Sequence, residues 1–215
     1  MDGAIFLSAS VPDPRRAPHY AATADTVAIT AAVSALVYVT LGRRPLIWGG
    51  HPAITPMIWI VAQDLGLEYG QWVKLYQSRF FEDEFPEENA LFGNVIFTDP
   101  VAQDREQSLR AMRERMFRDN RFDAAVFIGG MEGIRDEFAL FRSFQPGVQM
   151  VPVGSTGGAA AELIDRGEAA QDLWSELDYV SLFHRHLGIS IRERRYKSPD
   201  EQPSEIEDRY WRSGA

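Results

Sequence analysis

The chain has 215 residues, 45% hydrophobic and 25% charged, with a formal net charge of −9 at pH 7. That length fits one domain with a large core, and the negative balance argues against a sequence-independent DNA or RNA binder, which relies on a cationic footprint. No cysteine is present, so disulfides, thiolate metal sites and a Cys nucleophile are excluded and no oxidising compartment is needed.

Short β-branched and aromatic runs alternate with longer amphipathic ones. "AIFLS" (4–8) reads as the first strand; it ends in the corner "SASVP" (8–12), and a helix is predicted over 24–41. "PLIWGG" (45–50) reads as the second strand, and its corner "GGHPAITP" (49–56) opens a helix over 55–65. "VKLYQ" (73–77) and "NVIFTD" (94–99) are the third and fourth strands. Between them, "SRFFEDEFPEENALFG" (78–93) is acidic, aromatic and interrupted by proline, which predicts a loop or lid rather than a regular element. The aromatics of its 80–85 stretch suit a base better than its carboxylates suit a phosphate.

A third helix is predicted over 104–120, with Leu109, Met112 and Met116 on one stripe. "AAVFIGG" (124–130) is the fifth strand and turns through "GGMEG" (129–133) into a helix over 134–143. "QMVPVG" (149–154) is the sixth strand, followed by "GSTGG" (154–158) and a helix from Gly157 or Gly158. A final helix is predicted over 169–187, and its aromatic half is the candidate homo-oligomer face. The polar tail 191–215, with two prolines, is expected to extend away from a 1–190 domain, Tyr210 and Trp211 docking on a partner or back on the domain.

Strands apolar on both faces and alternating with helices predict a Rossmann-like, doubly wound, mostly parallel sheet with helices on both faces. The most apolar stretch, 26–41, is shorter than the roughly 20 residues of a membrane span, and the N-terminus does not resemble a secretory signal. A cytoplasmic protein without membrane contact is therefore expected.

In such a sheet the corners meet at the carboxyl edge, where ligands bind. Each glycine corner reads either as a tight turn or as a set of amides and a helix start aimed at an anion. The candidate residues are Ser8, Ser10, Gly49, Gly50, His51, Thr55, Gly129, Gly130, Met131, Glu132, Gly133, Gly154, Ser155, Thr156, Gly157 and Gly158. Ser10, Thr55, Ser155 and Thr156 read equally as helix N-caps, and His51 as the residue that closes its turn. Asp136 and Glu137, early in the helix that follows, either complement its dipole or act on a ligand. No dinucleotide fingerprint, Walker A loop or nucleophile elbow occurs, and the four histidines lack metal-site spacing, so no metal is expected. "MRERM" (112–116) places Arg113 and Arg115 on the helix before the fifth strand; they are a solvated face, or one of them turns towards Glu137.

The order of these features resembles the SLOG superfamily, the Rossmann-like group uniting Smf/DprA proteins with the LOG ("lonely guy") nucleoside monophosphate phosphoribohydrolases, over roughly residues 1–190. LOG enzymes carry an "MHxRK" helix, a strand and then "PGGxGTxxE"; here "MRERM" precedes "FIGGMEGIRDEF". Arg115 matches the motif arginine and Glu137 the motif glutamate, the pair the resemblance implies as catalytic. Gly129, Gly130 and Gly133 match the glycines. Ile128 replaces the proline, one extra residue precedes the third glycine, and Ile134 replaces the threonine expected to touch phosphate.

"LIWGGHPAITPMI" and "VPVGSTGG" resemble instead the SLOG domains that accompany TIR and sirtuin domains in anti-phage systems, and distantly the N-terminal region of TRPM channels. That resemblance implies a sensor of an ADP-ribose or cyclic ADP-ribose type signal, without a cofactor, as a homo-oligomer with a separate effector protein. Arg113 or Arg115 is expected to supply charge and Glu137 to contact ribose. The alternatives are a LOG-like hydrolase that cuts a nucleotide N-glycosidic bond with Arg115 and Glu137, and a structural or adaptor protein whose corners are only tight turns.

Overall fold

Strand β1 (Ala4–Ser10) alternates strictly: Ile5 and Leu7 enter one hydrophobic core, Ala4 and Phe6 the other. Burial on both faces is what a central parallel strand requires. In this computed structural model, which describes residues 3–66, 69–164 and 171–211, five further strands flank it: β2 (Leu46–Trp48), β3 (Val73–Ser78), β4 (Val95–Thr98), β5 (Phe122–Gly129) and β6 (Gln149–Val153). The sheet order is β4-β3-β2-β1-β5-β6 and every pairing is parallel. The six predicted strands are all present, in a Rossmann-like α/β sheet. The winding reverses between β1 and β5, where Ser8 lies beside Phe127 and Ser10 beside Gly129, which opens a crevice at their carboxyl ends.

One face is covered by α2 (Thr26–Thr40), α3 (Thr55–Asp64) and α9 (Tyr179–His186), the other mainly by α5 (Arg105–Arg118) and α6 (Glu132–Phe144). Asp25 caps α2 by accepting from the amides of Val27 and Ala28, and Asp104 caps α5 by accepting from Gln107. An aromatic cluster holds α6 on the sheet: Phe141 stacks on Phe6 at 5.3 Å and Phe138 meets Phe127 edge-on at 5.1 Å. Each fully buried Phe contributes ~1.5–3 kcal/mol by the hydrophobic effect, so α6 is fixed in rotation and carries Glu137, the neighbour of Phe138, to the crevice.

Two local readings are corrected, and one connection gains a helix. The predicted last helix is two, α8 (Gln171–Ser175) and α9, because Asp178 caps a new helix through the amide of Ser181; its first two residues, 169 and 170, lie outside the described residues. A short helix α1 (Pro18–Thr23) with proline in its first turn fills the 8–24 connection. The 78–93 segment forms two 3-10 helices, Arg79–Glu84 and Glu87–Leu91, beyond β3. The helix expected from Gly157 or Gly158 is present as α7 (Gly158–Glu162), and a short α4 (Tyr69–Trp72) precedes β3.

The tail does not project. Glu193 is wholly buried and takes Arg44 bidentately, at 2.6 and 3.3 Å, with Arg209 at 3.7 Å. The Arg43 Nε donates to the Glu193 carbonyl oxygen at 2.8 Å, the Tyr196 amide to Gly42, and the Trp72 indole to the Lys197 carbonyl oxygen. Arginines 43 and 44, which precede β2 at the amino edge of the sheet, are buried and need a counter-charge; a polar tail supplies it. Its last four residues lie outside the described ones. Among the described residues no helix is long and apolar enough to cross a membrane.

Candidate functional site

A cleft of about 640 Å³ opens at the carboxyl ends of β1, β2, β3 and β5, within the ~300–1,000 Å³ typical of small-molecule sites. Glu137 stands in it with both oxygens engaged. The Ser8 hydroxyl donates to Oε2 at 2.5 Å and the Arg113 Nε donates to Oε1 at 2.9 Å. Both members of the ion pair are largely buried, Arg113 at 11% and Glu137 at 17% side-chain exposure. Arg113 spends only Nε on this pair; its terminal NH2 groups have no acceptor among the described residues. They remain available to an anion.

The two arginines of "MRERM" therefore divide. Residues two apart diverge by about 200° around a helix, and the Met112–Met116 stripe that packs on the sheet turns Arg113 towards the crevice and α6. Arg115 lies on the opposite side: it pairs with Asp119 at 3.2 Å and donates to the Phe97 carbonyl oxygen at 3.1 Å, half-exposed. Arg115 does not stand beside Glu137, contrary to the motif match.

Ser8, Ser10, Gly49, Gly50 and His51 line the cleft from β1 and β2, and Met131, Glu132 and Gly133 from the start of α6. Gly50 has φ +76° and a Cβ there would run into the Gln77 amide, which donates to the Gly49 carbonyl oxygen. No side chain caps α6, whose first amides open to the cleft. His51 accepts the Ala53 amide at Nδ1, at 3.2 Å. Burial, reinforced by the nearby Arg16 charge, lowers its pKa below the ordinary histidine value.

The remaining corner residues are spent on the fold. Thr55 is fully buried, its hydroxyl donating to the His51 carbonyl oxygen. The Gly129 amide donates to the Thr156 hydroxyl, which donates to Val153, and the Gly130 carbonyl oxygen accepts from Ala159. Ser155 donates to the Glu176 carbonyl oxygen, and Gly154 and Gly158 are wedged against neighbouring chain. Gly157, at φ +67°, abuts the Thr23 carbonyl oxygen so closely that no Cβ fits. The fourth corner is thus a structural joint, beside β6 and off the cleft. None of Ser10, Thr55, Ser155 and Thr156 is a side-chain N-cap.

The cleft also gathers residues the glycine corners did not flag, among them Arg16, Gln77, Phe81, Phe85 and Arg105. Arg16 follows the first corner by four residues and was legible as its continuation. Arg105 starts α5 after a corner that reaches left-handed backbone with Ala102 (φ 50°) and Gln103 (φ 55°) instead of glycine, so composition hid it. In all, Arg16, Arg105 and Arg113 face six carboxylates: Asp13, Glu84, Glu106, Glu132, Asp136 and Glu137. That balance opposes a polyphosphate and suits a ligand with few phosphates and many hydroxyls. Ile134, standing where LOG enzymes have threonine, is buried at 2% exposure in the aromatic core.

No curated protein matches the chain. A model of the SLOG cluster3 family matches residues 19–187, from α1 through α9 and across all the corners except the first, and the chain belongs to that family.

Proposed function

We propose that this chain binds a nucleotide-derived signalling ligand of the ADP-ribose or cyclic ADP-ribose type in the cleft between β1, β2 and α6, as a sensor in a defence or signalling system. Family membership supports a nucleotide-related function. The observation that carries the finer reading is Arg113, a buried guanidinium with free terminal NH2 groups next to an uncapped helix start and a carboxylate held for hydroxyl contacts. An anion bound there gains charge-assisted hydrogen bonds, and Glu137 accepts from a ribose hydroxyl. The acidic surroundings favour one or two phosphates over three. The sensor works as a homo-oligomer that reports occupancy to a separate effector protein; light scattering with and without ligand tests the first part.

A LOG-like hydrolase is the second reading, favoured by the carboxylate that Glu137 keeps in the cleft. Water would bond to C1′ as the N-glycosidic bond breaks, its electron pair leaving with the base and the water proton passing through Glu137. One observation weighs against it: Arg115, the arginine that the LOG motif pairs with the glutamate, is held by Asp119 and the Phe97 carbonyl oxygen instead. Incubation of the protein with AMP, ADP-ribose and cyclic ADP-ribose isomers, read by thermal shift and mass spectrometry, separates the two. Tight retention of one intact ligand supports the sensor. Free base and ribose phosphate that vanish in Glu137→Gln support the hydrolase, and neither result defeats both.

A further inference from the structure

We infer that the connection between β3 and β4 forms a base subsite, in which Phe81 and Phe85 stack a planar base that carries an exocyclic amino group. The inference rests on the nucleotide reading above. Both rings line the cleft, half-buried, on the 3-10 segment Arg79–Glu84 and the residue after it. Neighbouring side chains brace them. The Arg105 guanidinium lies 5.4 Å from the Phe81 ring centre and Phe80 meets Phe81 edge-on at 5.0 Å. Phe85 stacks on Phe97 at 5.9 Å and 29°, and Arg79 covers Phe97 at 4.6 Å. Rings held this way bind a base without first losing rotamer freedom. Leu109 and Met112 of α5 add apolar surface to the same cleft.

Charge gives the subsite its polarity. Glu84, between the two phenylalanines, lines the cleft with no partner among the described residues, and Glu106 stands nearby in a pair with Arg105. Carboxylates there repel phosphate and accept a hydrogen bond from an amino group. Phosphate is left to Arg16, Arg113 and the uncapped start of α6, which line the same cleft from other elements. The ligand therefore lies with its base under the 3-10 segment and its ribose phosphate against β1 and α6, and an amino-bearing base is preferred to an oxo base.

Titration calorimetry on the full chain with ADP-ribose, its inosine counterpart and ribose 5-phosphate tests this. Wild type should bind ADP-ribose about fivefold or more tighter than the inosine ligand, one hydrogen bond's worth, and Glu84→Gln should reduce that ratio to near one. Phe81→Leu should weaken both base-bearing ligands about tenfold or more and leave ribose 5-phosphate unchanged. Unchanged affinities in Phe81→Leu, or equal weakening of all three ligands, overturn the subsite while the nucleotide reading stands. Equal binding of the adenine and hypoxanthine ligands overturns the amino preference. Failure of wild type to bind any of the three overturns the nucleotide reading and the subsite with it.

Discussion

Replacing Arg113 by lysine separates the arginine that the geometry selects from the one that the motif selects. In the wild type one guanidinium edge holds Glu137 at 2.9 Å while the terminal NH2 groups stay free for a ligand anion. An ammonium is a single point donor on a shorter reach and cannot do both. At 11% exposure the lost contact is little screened, and a hydrogen bond to a charged partner contributes ~1.5–3 kcal/mol, which predicts a Kd for ADP-ribose weaker by about 10- to 150-fold. The fold should survive, because the charge opposite Glu137 is kept. Arg115→Lys is the paired control: Arg115 is not among the residues lining the cleft and its half-exposed i,i+4 pair with Asp119 contributes only to folding, about 0.3–0.5 kcal/mol, so affinity should stay unchanged. Titration calorimetry on both variants reads the difference. Loss of binding in Arg115→Lys with retention in Arg113→Lys would refute the reasoning and restore the motif arginine.

Glu193→Ala should be among the most damaging substitutions, since it leaves Arg44 and Arg209 buried at 5% and 1% exposure without their carboxylate. A broken buried pair costs ~3–5 kcal/mol, or a Tm lower by about 6–20 °C for this chain length, and calorimetry that finds under 2 °C would show the tail to be loosely held. Gly157→Ala meets φ +67° and ψ −155° as well as the Thr23 carbonyl oxygen, so unfolding experiments should find at least ~3 kcal/mol lost, with ADP-ribose affinity of the remaining folded protein unchanged if this corner is purely structural. His51 has a folded pKa below its unfolded value of ~6.5, so the unfolded chain binds the proton more readily. Its contribution to stability is full above that unfolded value and is lost as pH falls through the window down to the folded pKa; the Tm of His51→Asn should therefore fall less between pH 7 and 5 than that of the wild type.

What the sequence determined by itself is the architecture: six apolar runs of strand length, separated by helical periodicity, allow little except a parallel sheet covered on both sides, and all six strands and the main helices lie where that pattern put them. The corners at 8–12, 49–56 and 129–133 were legible as the carboxyl edge for the same reason, because strand ends follow from hydrophobic patterning and glycine chemistry, both local. Side-chain direction is not local. Whether Arg113 or Arg115 reaches Glu137 depends on which stripe of α5 the sheet buries, and the hydroxyl that completes the trio, Ser8, lies 129 residues away from Glu137. Likewise the glycines of 154–158 carry the same turn chemistry as those lining the cleft, yet β6 sits one strand beyond the point where the winding reverses, so their groups are consumed by Gly129, Gly130 and Thr23. The tail read as solvated because it is polar, and only the folded chain puts buried arginines where one of its carboxylates is needed. Local pattern sets the elements; strand order and helix rotation, decided by burial across the whole chain, choose which of the corners can meet a ligand.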